Sequence, residues 1–337
     1  MKEYKLYPKE GERDKFLDFL KGLAILGVIW LHCMPLQDRM VAPLWCGMSV
    51  SLFLLIQVFH AYRKGAVNSR WPDVWKLFKR IVFPMLAVTA ILALIQSLFG
   101  MVHHAGGFVN MLQDGGYGPG SYYPWIYLQF AIILPLVGRL QKYLKPGVWG
   151  GVILLFSIAL EFVSSLAGMP DWLWRLLFFR YALLIWLGYD VVKNGIRLTP
   201  ILIALSLASM AFIVVMYYKN PDISPILIHN GWKVEHWPAF FYPAFLLLWL
   251  IRCIYEKLSA LVKDIIGRIG VASYEIFLCQ MLYFAIAEPS LAQLFRNEKL
   301  NYITYLLFAW CFSVGVGMLW NRIKQKIYDR KINHKIA

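Results

Sequence analysis

The chain has 337 residues, 60% of them hydrophobic and only 16% charged, with a mean hydropathy of +0.57. Soluble domains are about 45–50% apolar and about 25% charged, so a water-soluble globular protein is excluded and a polytopic membrane protein is expected. The formal charge of +15 would suit nucleic acid in a soluble chain; here the cations gather on one side of the apolar runs, as a topology signal, and no nucleic-acid partner is expected.

Residues 1–15, MKEYKLYPKEGERDK, form a short charged tail. The apolar stretch that follows, 16–36, is longer than a signal-peptide core and is read as a retained span. It carries Asp18 and Lys21 near one end and His32 near the other. Charges in hydrocarbon cost a few kcal/mol each, so they face a protein interior or a wet cavity and mark function. At about 100° and 1.5 Å per residue, the eleven steps from Lys21 to His32 make three turns plus about 20° and cover about 16 Å. Both side chains therefore lie on one face, half a membrane apart. Asp18, three residues before Lys21, can pair with it, while Gly22, Ala24 and Gly27 let neighbouring backbones approach closely.

Nine further spans follow from the apolar runs: 41–60, 79–99, 122–140, 148–167, 173–190, 198–218, 238–255, 270–287 and 301–321. Breakers such as Pro35, Pro43, the Gly115 to Gly120 run, Pro146, Pro170, Pro221 and Pro289 punctuate the gaps. The expected architecture is all-α with about ten transmembrane helices, a single domain over 1–337 with short tails at 1–15 and 322–337. Of 34 Lys and Arg, 26 fall on the N-terminal side of this arrangement, five on the other and three within spans. The positive-inside rule then makes both termini cytoplasmic, which puts Lys21 in the inner leaflet and His32 towards the outer one.

The outer loop 101–121 is Gly-rich and holds His103, His104 and Asp114. Zinc sites use characteristic spacings that this set lacks, so no metal is expected and the loop reads as solvated, or as a lid over an outer-facing site. The loop 217–237 holds His229 and His236, and Trp232, Trp237 and Tyr242 fit an interfacial aromatic belt. In the sixth span Arg175 can snorkel to a helix end, whereas Arg180 is deeper and is expected to line a cavity, with Glu161 as a possible partner. Asp190 can pair with Lys193. The five cysteines form no CxxC pair and read as buried free thiols.

Four stretches in the same order resemble the family-3 membrane acyltransferases. ERDKFLDFLKGLAILGVIWLH, from Glu12, is similar to the family's first-span signature, in which a basic residue is separated by ten others from an essential histidine; Lys21 and His32 match. WKLFKRIVFP, from Trp75, resembles the basic pair before the third span, with Lys76, Lys79 and Arg80 as candidates where the family usually has arginines. YYPWIYLQF, from Tyr122, resembles a Trp-aromatic-Leu stretch, and GRIGVASYEIFLCQM, from Gly267, a Ser-Tyr segment. Gln280 stands where many members have histidine, and Ile56-Gln57 where many have Ser-Gly, which leaves His32 as the obvious base.

The resemblance implies transfer of an acyl group, most often acetyl from acetyl-CoA, to a hydroxyl of a carbohydrate such as a surface polysaccharide or its lipid-linked precursor, in the plasma membrane of a bacterium. Chemistry agrees: a histidine can take the proton of a hydroxyl as attack proceeds, or carry the acyl group itself. A basic entrance on the inner side, built from Lys21, Lys76, Lys79 and Arg80, suits an anionic donor. The same polar residues would also serve a transporter or flippase for a lipid-linked sugar; paired halves with matching Gly/Pro interruptions, frequent in transporters, are not evident in this sequence.

Overall fold

The computed structural model describes Tyr4 and residues 14–34, 42–63, 73–99, 110–111, 113–141, 143–228, 233–286 and 298–336. Helix α1, Lys15–Cys33, begins where Asp14 accepts hydrogen bonds from the backbone N–H groups of Phe16 (3.0 Å) and Leu17 (3.2 Å), an N-cap that satisfies donors the helix cannot. Then come α2 (Ser49–Arg63), α3 (Phe83–Phe99, entered through Val74–Leu77 and a π-turn), α4 (Tyr123–Gln141) and α5 (Pro146–Leu166). After a broken segment follow α6 (Leu183–Asn194), α7 (Pro200–Lys219), α8 (Leu248–Lys257, entered through a π-turn), α9 (Ala260–Val271), α10 (Ser273–Ile286) and α11 (Glu298–Ile336). The all-α expectation holds: among the described residues there is no strand, only an isolated bridge between Tyr4 and Ile196.

Eight stretches are long and apolar enough to cross a bilayer, and α9 with α10, bent by 69°, make a ninth. The sixth expected span is not one helix. It breaks into Asp171–Leu176, a 3-10 turn at Phe178–Tyr181, and α6, with Leu177 extended at the break. Irregular backbone survives at membrane depth only where protein satisfies its polar groups, and Gln129 of α4 does so here. Its amide nitrogen donates to the Leu176 carbonyl (2.7 Å) and its oxygen accepts from the Phe178 N–H (3.0 Å). The bridge between Ile196 and Tyr4 brings the end of α6 beside the N-terminal tail.

Helix α1 belongs to two cores. Phe16, Leu17, Phe19 and Leu20 pack with α2, α4, α6 and the residues before α8, whereas Ile25, Ile29 and Cys33 pack with α3, α10 and α11. Its tightest neighbour is α9. A methyl group built on Gly270 would collide with the Asp18 carbonyl oxygen, and one on Gly22 with the Ile266 carbonyl oxygen; only hydrogen at these positions lets the two backbones touch. Outward faces of α5, α7 and α11 expose Leu155, Val163, Ile201, Leu207, Phe308 and Leu319, apolar side chains that suit lipid.

Several expected contacts are replaced. Glu161 makes its ion pair with His236 (Nδ1–Oε1 2.5 Å), while its charge also acts on Arg180. Asp190 accepts from Asn194 (2.7 Å) and faces Arg197 (3.6 Å) instead of Lys193, because the last turn of α6 directs Asn194, four residues on, to the same face. Arg175 does not merely snorkel but forms an ion pair with Asp114. Tyr242 is buried rather than interfacial, Cys311 is exposed and Cys253 half-buried. The described part of the Gly-rich loop is packed, neither solvated nor open: Tyr117 and Ser121 are buried, the Tyr117 N–H donates to Thr89 (3.1 Å), and Trp125 donates to the Gly115 carbonyl (2.8 Å). Positive φ at Gly115, Gly118 and Gly120 permits that compact course. His103, His104, His229 and Trp232 lie outside the described residues.

Candidate active site

A cavity of about 320 Å³ runs along α1, and its lining includes both Lys21 and His32. The helical spacing that sets them on one face thus sets them on one wall. Lys21 is half-buried with its ammonium 2.7 Å from Asp18, a buried carboxylate one turn after the Asp14 cap. His32 occupies the last turn of α1, half-buried, with its ring 5.4 Å from that of Phe284 on α10.

The two ends of the cavity differ in chemistry. On the N-terminal side stand Lys21, His60 at the end of α2, Arg80 in the π-turn before α3, and Lys324 of α11 with its partner Glu275 of α10. Arg80 is exposed at this end of the cavity. On the far side stand His32, Cys46, Gly120, Tyr122 and Glu235. A basic mouth therefore opens opposite a wall made of a histidine, a tyrosine and a carboxylate.

Lys76 and Lys79 are exposed and do not line the cavity; the Lys79 ammonium lies over the Trp75 ring at 4.9 Å. Arg180 is buried one layer behind the wall, over the rings of Tyr122 (5.5 Å) and Tyr181 (4.9 Å). Tyr181 in turn donates to Glu235 (2.6 Å). Burial pushes the Glu235 carboxyl above its ordinary range, opposed by the Arg180 charge and the Tyr181 hydrogen bond. Gln57 of α2 lines the cavity and donates to the Tyr127 carbonyl (2.8 Å), tying α2 to α4. Gln280 is fully buried away from the cavity wall. Among the described residues no group of three His, Cys, Asp or Glu gathers as a metal site.

Glu235 and Lys324 escape a reading of the sequence alone. Glu235 sits in KVEHWPAF, directly before an apolar run, and a carboxylate there looks like a loop residue until the loop folds inward. What folds it inward is the buried pair beside it: His236 is bonded to Glu161 and stacks on Trp174 at 6.2 Å between ring centroids. His236→Ala leaves Glu161 buried without that partner, and we expect a loss of about 3–5 kcal/mol, read as a lower midpoint of thermal unfolding in detergent. Removing the charge as well, in His236→Ala with Glu161→Gln, recovers part of it; an unchanged midpoint in the single variant contradicts the pairing.

No curated protein and no solved structure matches the chain. The family profile described as an acyltransferase domain, family 3, matches residues 14–322, a stretch that begins at the N-cap of α1 and includes Lys21, His32, Arg80, Glu235 and Glu275. With one profile spanning nearly every membrane helix and the whole cavity wall but Lys324, the chain belongs to the family-3 acyltransferases and is a membrane acyltransferase.

Proposed function

We propose that this acyltransferase moves an acetyl or other short acyl group from acyl-CoA to a hydroxyl of a carbohydrate, a surface polysaccharide or its lipid-linked precursor. The observation that supports this reading most is the single cavity that has Lys21 and Arg80 at one end and His32 at the other. Its volume of about 320 Å³ is at the small end for ligand sites. That size suits an acyl-pantetheine arm inside, with the phosphorylated nucleotide left at the basic mouth. In this reading the N-terminal side faces the cytoplasm of a bacterial plasma membrane, as its excess of Lys and Arg requires.

The chemistry needs one base. His32 accepts the proton of the acceptor hydroxyl as the oxygen attacks the thioester carbonyl; the carbon–sulfur bond breaks, the carbon–oxygen bond of the ester forms, and the departing thiolate takes a proton from the imidazolium. Lys21 and Arg80 hold the donor's phosphates, Arg80 as a planar fork and Lys21 as a point charge. Arg180 acts through Tyr122 and Glu235, keeping the far wall in place. No metal is proposed.

Of Lys76, Lys79 and Arg80, Arg80 alone lines the cavity. Arg80→Ala is expected to raise KM for acetyl-CoA about tenfold with little change in kcat, while Lys76→Ala and Lys79→Ala change it less than about twofold. Equal effects of all three point to a diffuse basic surface instead. The proposed reaction itself is tested with labelled acetyl-CoA and membranes from cells that make the protein. Label in the carbohydrate fraction supports acyl transfer; movement of lipid-linked sugar without label incorporation supports the transporter and overturns it.

A further inference from the structure

Lys324 is a cavity-lining cation that the family profile leaves out, since the match ends at residue 322. It is carried by α11, which runs on as one helix to Ile336. Its ammonium lies 2.7 Å from a carboxylate oxygen of Glu275, in the first turn of α10 just after the 69° bend. The two partners are unequal: the Lys324 side chain is 55% exposed, the Glu275 side chain 7%.

That asymmetry decides which partner can move. Glu275 sits at the start of a helix, where the unpaired N–H groups and the helix dipole stabilise a carboxylate with or without a lysine. Lys324 has a flexible, mostly solvated stem, and a pair with one exposed partner is weak. Lys21 at the same mouth is held by Asp18 at 2.7 Å. Lys21 and Lys324 are thus each balanced by a carboxylate, and an anionic ligand that engages more than Arg80 at this mouth has to displace one of them. Lys324 is the one whose release costs least.

We infer that Lys324 binds a phosphate of the acyl-CoA nucleotide, exchanging the Glu275 carboxylate for it, and that Glu275 sets how readily the mouth accepts the donor. This rests on the acyl-CoA reading of the same cavity. No bond is made or broken in the exchange; one ion pair replaces another. Glu275 is a competitor of the donor, and Lys324 is a binding residue with no part in the proton transfer at His32.

The test measures the Kd of CoA for the purified full chain in detergent by isothermal titration calorimetry. Lys324→Ala alone would strand Glu275, so the comparison is made in a Glu275→Gln background. Glu275→Gln is expected to bind CoA a few-fold more tightly than the parent protein, because the competitor is gone. Adding Lys324→Ala is expected to weaken binding about tenfold at low salt, and by much less at about 0.5 M salt, where exposed charges are screened. Equal Kd values with and without Lys324, or a loss of the same size at both salt concentrations, overturn the inference. A parent protein that binds no CoA overturns the donor assignment itself; a parent that binds CoA, with a Lys324 variant that binds alike, overturns this inference alone.

Discussion

His32→Ala is expected to lower acyl transfer by about 10²–10⁴-fold, the range supplied by a positioned general base, while the protein inserts and unfolds as before. The position explains both halves of that outcome. His32 is in the last turn of α1, half-buried at the cavity, with its ring 5.4 Å from that of Phe284. The buried packing of α1 is carried by Phe16, Leu17, Phe19, Leu20, Ile25 and Ile29, which the substitution leaves in place. Loss of activity should therefore appear in kcat and in kcat/KM alike, with the elution profile and thermal midpoint unchanged. Full activity in a properly inserted variant would remove His32 from the mechanism.

Gly270→Val should be the most destabilising substitution of comparable size. Even a methyl group there meets the Asp18 carbonyl oxygen and the Gly22 backbone nitrogen, and neither can rotate away as a side chain would. Overpacking usually costs about 1–3 kcal/mol; with backbone on both sides the upper end or more is expected. Separating α1 from α9 would also shift the turn of α1 that carries Asp18 and loosen Lys21 at the cavity mouth. Gly267 on the same helix supplies the control, because nothing lies within 4 Å of an added methyl group. Gly267→Ala should be neutral or raise the unfolding midpoint slightly, since alanine is favoured over glycine in a helix by about 1 kcal/mol. Similar midpoints for the two variants would contradict the contact.

The parts of the site that could be read in the sequence are those fixed by helical geometry within one element. Lys21, Asp18 and His32 lie on α1, so a rise and a rotation per residue place them on one wall and pair the first two without knowledge of the rest of the chain. Contacts across the chain left no comparable mark. Glu161 meets His236 across 75 residues. Lys324 meets Glu275 through the packing of α11 on α10. The sixth apolar stretch reads as a continuous helix because hydropathy cannot register Gln129, 47 residues before Leu176, replacing the backbone hydrogen bonds lost at the break. Lys76, Lys79 and Arg80 look equivalent as a run of cations, yet the π-turn at Phe78–Val82 turns only Arg80 to the cavity.

The proposal stands or falls on the acyl donor entering the cavity from the basic, N-terminal side. Labelled acetyl-CoA, which does not cross lipid, is offered to inside-out and to right-side-out vesicles from the same cells, and label in the carbohydrate fraction is counted. The account predicts incorporation when the N-terminal side faces the added acetyl-CoA and none above the His32→Ala background in the opposite orientation. Incorporation only when the far side faces the donor would contradict it.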